Sequence, residues 1–150
     1  MITECYIKGR YDNGVGKCAV VIKEGESIVH QVAWKVPDTW PYGGEIIEAD
    51  QFNCEILAAT YAMQWCTQHV KPLVNLYSNL NTCQKWYLRG EFPESRKAAA
   101  QMFFDSKKGY SDALDEHEGK KVLDRFFADW ISKDDANNCN RLVNELAENV

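Results

Sequence analysis

Apolar and polar positions alternate along the first third of the chain, and the spacing becomes helical after residue 50. Cys5-Tyr6-Ile7 reads as a strand, followed by the Gly-rich turn Asp12-Asn13-Gly14-Val15-Gly16. A second apolar run, Cys18-Ala19-Val20-Val21-Ile22, a turn at Gly25 and an alternating run from Ile28 to Val36 complete an antiparallel meander. Proline, Gly and Trp in residues 37–44 predict a loop. Asp50 is placed as the N-cap of a helix reaching about Gln68, with Phe52, Ile56, Ala59, Met63 and Cys66 on the helical period.

Beyond it, Leu73-Val74-Asn75-Leu76-Tyr77 predicts a short buried strand. A helix is expected from about Asn79 to Leu88, closed by Gly90, and another over Ser95 to Lys107. The segment Ser111 to Lys120 carries four acids and predicts a solvated loop. Val122 to Ile131 alternates as a fifth strand, and Asn138 to Glu148 forms a closing helix. The order β-β-β-α-β-α-α-β-α predicts an α/β domain over residues 1–150, a five-stranded mixed sheet with helices on both faces.

Composition narrows the function classes. A chain of 150 residues that is 45% hydrophobic can bury a full core without metals or disulfides. No apolar run reaches a membrane span, and the first residues lack a secretory pattern, so a cytoplasmic protein with no membrane partner is expected. Six cysteines with no Cys-x-x-Cys pair point to reduced core thiols rather than a zinc site. The net charge of −5 removes the simplest electrostatic case for nucleic-acid binding.

Four local patterns, in the same order as the elements, resemble the ribonuclease H family along essentially the whole chain. Tyr6-Ile7-Lys8-Gly9-Arg10, then Gly14-Val15-Gly16 and Ala19-Val20-Val21-Ile22, match the family's first strand, turn and second strand. Asn53-Cys54-Glu55-Ile56-Leu57-Ala58-Ala59 matches the opening of its first long helix. Leu76-Tyr77-Ser78-Asn79, with Lys85-Trp86 and Gly90-Glu91-Phe92, is similar to a bacterial subgroup. Trp130-Ile131-Ser132-Lys133-Asp134 and Asn140 to Ala147 mirror the last strand, loop and helix.

The resemblance implies four carboxylates holding two divalent cations for phosphodiester hydrolysis. Here those positions fall on Lys8, Glu55, Asn79 and Asn144, and the family's loop histidine falls on Asp134. Only Glu55 keeps its charge. The formal sum is zero where four carboxylates would carry four negative charges. Each lost charge beside a cation matters by several kcal/mol at an effective dielectric of ~20. Lys8 is expected to face Glu55 as its counter-ion, because a lone buried carboxylate is costly. A relocated metal site built from Glu55, Asp134 and Asp135 is a minor alternative.

Other candidate chemistry is thin. His30, His69 and His117 are scattered, and Gly14-x-Gly16 lacks the rest of a nucleotide-binding loop. Trp34, Trp65, Trp86 and Trp130 fall in regular elements and read as core, which leaves Trp40 as the exposed stacking candidate. Arg10, Lys17, Arg89, Arg96 and Lys97 are weighed as a phosphate-contacting face against ordinary solvated charge.

The resulting expectation is a catalytically inactive ribonuclease H-like protein, needing no cofactor, that acts as a nucleic-acid-binding or protein-interaction module. Its partner classes are an RNA–DNA hybrid or other nucleic acid, bound weakly, or a protein. The alternative is an active ribonuclease H that uses Mg²⁺ to cut RNA in RNA–DNA hybrids. A different enzyme on the same fold is a third reading.

Overall fold

Two-residue turns set the register of the first three strands. The computed structural model describes residues 1–122 and 125–150. Strands β1 (Thr3–Asp12) and β2 (Val15–Glu24) join through Asn13-Gly14, whose φ values of 53° and 76° suit the tight hairpin turn between twisted strands. Lys8 stands opposite Ala19, and Cys5 opposite Ile22. A second tight turn at Gly25-Glu26 leads into β3 (Ser27–Val36), antiparallel to β2.

Residues 37–44, expected as a loop, instead carry half of a small hairpin. β4 (Thr39–Tyr42) pairs with β5 (Glu45–Glu48) in a separate two-stranded sheet, turning on Gly43-Gly44. Pro41 is tolerated because a two-stranded ribbon leaves one side of each strand free of ladder bonds.

Helix α1 (Gln51–Gln68) follows, capped by the Asp50 carboxylate, which accepts from the Asn53 amide at 2.7 Å. Strand β6 (Val74–Ser78) then lies parallel to β1. The helix expected over 79–88 is a single short π-helix, Gln84–Leu88, after a turn. Helix α2 (Lys97–Glu118) runs well past its expected end at Lys107 and takes in most of the predicted loop 111–120. Tyr110 and Leu114, one turn apart, are buried and hold that extension to the core, and Gly119 stops it in the left-handed conformation at φ 71°.

Strand β7 (Phe126–Trp130) pairs in parallel with β6. The part of the strand expected over 122–131 that falls on residues 123–124 lies outside the described residues. Helix α3 (Asn138–Asn149) closes the chain, capped by Asn137. The main sheet has the order β3-β2-β1-β6-β7, mixed as expected.

Alternation along β1 and β2 divides the core between two faces. Cys5, Ile7, Cys18, Val20 and Ile22 pack with α1 and α2 on one side. Tyr6, Ala19 and Val21 pack with Cys139, Val143 and Ala147 of α3 on the other. Burying each larger aliphatic or aromatic side chain contributes ~1.5–3 kcal/mol. Among the described residues no helix is long and apolar enough to cross a membrane.

Candidate functional site

β1 pairs with β6 only from Thr3 to Tyr6, so beyond Tyr6 the carboxyl ends of these neighbours separate. Such a gap in an α/β sheet is where ligands commonly sit. Five pieces of chain meet there: the end of β1, the first turns of α1, the end of β6, the 131–137 connection and the start of α3.

Glu55 enters from α1 and is 2% exposed. Its position depends on Gly9. A Cβ at residue 9 would lie 2.1 Å from the Glu55 backbone nitrogen, so helix and strand backbones touch there. The Gly9 amide donates to Glu55 Oε2 at 2.5 Å, and the Ser78 hydroxyl donates to Oε1 at 3.0 Å. Burial pushes the Glu55 carboxyl up to about 7, against the opposing pull of Lys8 and of those two hydrogen bonds.

Lys8 is nearly buried, yet it forms no direct ion pair with Glu55. The two feel each other's charge, but the Lys8 ammonium donates to Asn79 Oδ1 at 3.3 Å. In place of the expected contact between counter-ions, the two groups interact only through space. The carboxylate is satisfied by Gly9 and Ser78, which leaves the ammonium to the amide. Desolvation lowers the Lys8 pKa, with Lys133 and Arg10 adding to the drop and Glu55 opposing it.

Asn79 joins the two halves of the site. Its amide nitrogen donates to the Ile131 carbonyl at 2.9 Å and to Asn140 Oδ1 at 3.1 Å. Asn140, 1% exposed, donates onward to the carbonyls of Ser132, Lys133 and Asp135 at 3.0, 3.3 and 3.2 Å. Asn144, the helix residue selected from sequence, sits one turn later. It donates to the Asn140 backbone carbonyl at 2.8 Å, and its own side-chain oxygen is buried without a partner. The α3 residue that reaches the cluster is thus Asn140. The sequence signal was the asparagine-capped helix start itself, which places the residue three after the cap on the side that bonds the cap.

The remaining candidates lie elsewhere. Asp134 is exposed, with its amide donating to Ser132 Oγ at 3.3 Å. Asp135 Oδ1 accepts from the Asn137 amide. Among the described residues no three His, Cys, Asp or Glu side chains converge, so the relocated set Glu55, Asp134 and Asp135 is not assembled. The five cations weighed as one face are largely engaged separately. Arg96 clamps Asp50 and Asn53, Arg10 binds Asp12 at 2.8 Å, and Lys17 donates to the Glu148 carbonyl. His30 meets the Tyr61 hydroxyl at 2.7 Å, and His69 packs on Trp65, both away from the cluster.

The tryptophans also reverse their expected roles. Trp40 is partly buried against the core, whereas Trp130 is 55% exposed and its indole N–H donates to the Asn79 carbonyl at 3.2 Å. Trp130 ends an edge strand, so the core contacts that cover Phe126 and Ala128 do not extend to it.

The residues at this sheet gap do not fit a pair of divalent cations. One carboxylate remains, with each oxygen already holding a donor, and an ammonium occupies the neighbouring space. An amide oxygen that accepts from Lys8 is a poor ligand for Mg²⁺, which favours anionic oxygens.

No family model and no curated protein match the chain. Solved structures do. The RNase H1 of the halophilic archaeon Halobacterium salinarum aligns at 12% identity and TM-score 0.65, over 99% of this chain and 96% of that one. The N-terminal RNase H domain of a Mycobacterium tuberculosis protein aligns at 9% identity and TM-score 0.62, over 98% and 94%. LC11-RNase H1, isolated from compost and solved in complex with an RNA/DNA hybrid, aligns at 14% identity and TM-score 0.65, over 97% and 96%. At these identities the likeness is one of fold, and the chain has a ribonuclease H-like fold.

Proposed function

We propose that this chain is a catalytically inactive ribonuclease H-like domain, a pseudonuclease whose partner is nucleic acid. The observation that carries the reading is the hydrogen bond from the Lys8 ammonium to Asn79 Oδ1 in the gap between β1 and β6. Two-metal hydrolysis needs an electronegative pocket that attracts cations. This pocket supplies a fixed positive charge, two neutral amides and one carboxyl group whose oxygens are already bonded.

Glu55 alone does not replace the missing acids. Its elevated pKa means that near neutrality the group spends part of its time uncharged, which weakens it further as a metal ligand. The nucleic-acid partner is supported by the likeness to an RNase H1 solved with an RNA/DNA hybrid. A cytoplasmic location belongs to the same proposal, supported by six free cysteines that are all buried, as suits a reducing compartment.

The test is cleavage of a labelled RNA–DNA hybrid with Mg²⁺ and, separately, Mn²⁺. The substrate is expected to remain intact in both. Reproducible cutting that disappears in Glu55→Gln would overturn the proposal and restore the active alternative.

A further inference from the structure

The same gap brings one ammonium and an exposed indole onto one asparagine. Asn79 accepts from the Lys8 ammonium through its side chain and from the Trp130 indole through its carbonyl, and it donates to Asn140. Asn140 in turn bonds the carbonyl of Lys133, so the Lys133 backbone is fixed three hydrogen bonds away from Lys8. Asn79 Oδ1 is the only hydrogen-bond acceptor of the Lys8 ammonium among the described residues, which leaves donor capacity unused. Lys133 is exposed and, among the described residues, has no ion-pair partner.

Nearby acids set the limit of that attraction. Among the described residues only Asp12 of them is charge-paired, while Asp129, Asp134 and Asp135 keep their negative charge. An incoming anion has therefore to be held by direct ammonium contact and not by a net positive field. Glu55 is taken by Gly9 and Ser78, Asp12 by Arg10, Asp129 by Gln84 and Asp135 by the Asn137 amide. Asp134 points no bond at the cluster, since only its amide is engaged, by Ser132.

We propose that this gap binds a phosphodiester of single-stranded nucleic acid without a metal ion, the Lys8 and Lys133 ammonium groups holding the oxyanion and the Trp130 indole stacking on the adjoining base. Direct ammonium contact does here what a cation bridge does in a metal site, because a phosphate oxygen accepts charge-assisted hydrogen bonds well. Stacking on an exposed indole needs an unpaired base, which selects a single strand over a duplex. The proposal rests on the non-catalytic reading, since here the Lys8 ammonium occupies the space that metal ions would need.

Fluorescence anisotropy of a short labelled single-stranded oligonucleotide, at low salt and in excess EDTA, tests it. Binding is expected with the chelator present. Trp130→Ala should weaken it about tenfold, the scale of one lost stacked base. Lys133→Ala should weaken it severalfold and reduce the log–log salt slope by about one, as removal of one phosphate contact does. Inorganic phosphate should displace the strand at high concentration. Both substituted side chains are exposed, so neither variant depends on refolding a core.

Absent binding in EDTA, binding that appears only on adding Mg²⁺, or affinities unchanged in both variants would each overturn the proposal. So would an RNA–DNA duplex bound as tightly as the single strand, or phosphate that fails to compete. Hybrid cleavage in the separate assay would overturn the non-catalytic reading instead, and the EDTA measurement keeps the two failures apart.

Discussion

The Gly9 amide donates to the Glu55 carboxylate across a contact so close that residue 9 has no room for a side chain. A Cβ there would lie 2.1 Å from the Glu55 nitrogen and 2.5 Å from the Cys54 carbonyl carbon, both backbone atoms of α1. This approach lets a carboxylate on the first helix reach the end of the central strand. The burial and the elevated pKa of Glu55 both follow from it.

Gly9→Ala should therefore push α1 off the sheet or break the Glu55 cluster. Overpacking against backbone exceeds the usual ~1–3 kcal/mol range, because backbone cannot rotate away as a side chain can. A loss of at least ~3 kcal/mol in urea unfolding is expected. A variant within 1 kcal/mol of the parent, on this same order-of-magnitude scale, would mean that the strand and helix are farther apart than described.

Glu55 also predicts how stability depends on pH. Its folded pKa is raised from 4.5 to about 7, chiefly by burial. Below the unfolded value both states carry the proton, so the protonated carboxyl's stabilising effect is fully present. Between about 4.5 and about 7 the unfolded chain releases the proton while the folded chain keeps it, so stability falls as pH rises. The slope approaches ~1.4 kcal/mol per pH unit within that window and levels off above it. Glu55→Gln should flatten the profile of unfolding free energy between pH 5 and pH 8. Lys8 acts in the opposite sense, stability rising with pH up to its unfolded value of 10.5, because burial depresses its folded pKa. An equally steep decline in the glutamine variant would assign the dependence to other groups.

The sequence supplied the meander, the strands that follow it and the helix capped by Asp50 because each rests on local signals. Asn13-Gly14, the alternation of β2 and the Asp50 cap act over a few residues. It failed where distant contacts decide. Acidic residues after 111 read as a loop, yet Tyr110 and Leu114 are buried, and the acids occupy the outer face of the same helix. Trp40 and Trp130 exchanged expected roles because exposure depends on which strand is an edge, and strand order is not local. Lys8, Glu55 and Asn79 were found by resemblance. Ser78 was not, since a serine becomes notable only once a buried carboxylate lies against it.

The extended α2 makes its own prediction. Leu114 is 3% exposed within the segment expected to be a loop. Leu114→Ala should destabilise the protein by ~2–5 kcal/mol, as removal of a buried leucine side chain does. A surface loop would lose less than ~0.5 kcal/mol. Thermal unfolding distinguishes the two, and a small shift would return residues 111–118 to solvent.

Asn140 and Asn144 separate the residue that organises the site from the one beside it. Asn140 is buried, accepts from Asn79 and donates to three carbonyls of the 131–137 connection. Removing its amide leaves several buried groups unsatisfied at once, each worth ~1–3 kcal/mol. Asn144 has one side-chain bond, to a carbonyl of its own helix, and a buried oxygen that is already unpaired. Asn140→Ala should therefore cost about 3 kcal/mol or more and speed hydrogen exchange of the Ile131 amide, which bonds the Ser78 carbonyl. Asn144→Leu should be nearly neutral, because it removes an unsatisfied polar atom without opening a cavity. If Asn144→Leu instead proved the more damaging of the two, α3 would meet the sheet through a different turn, and the cluster around Asn79 would have to be redrawn.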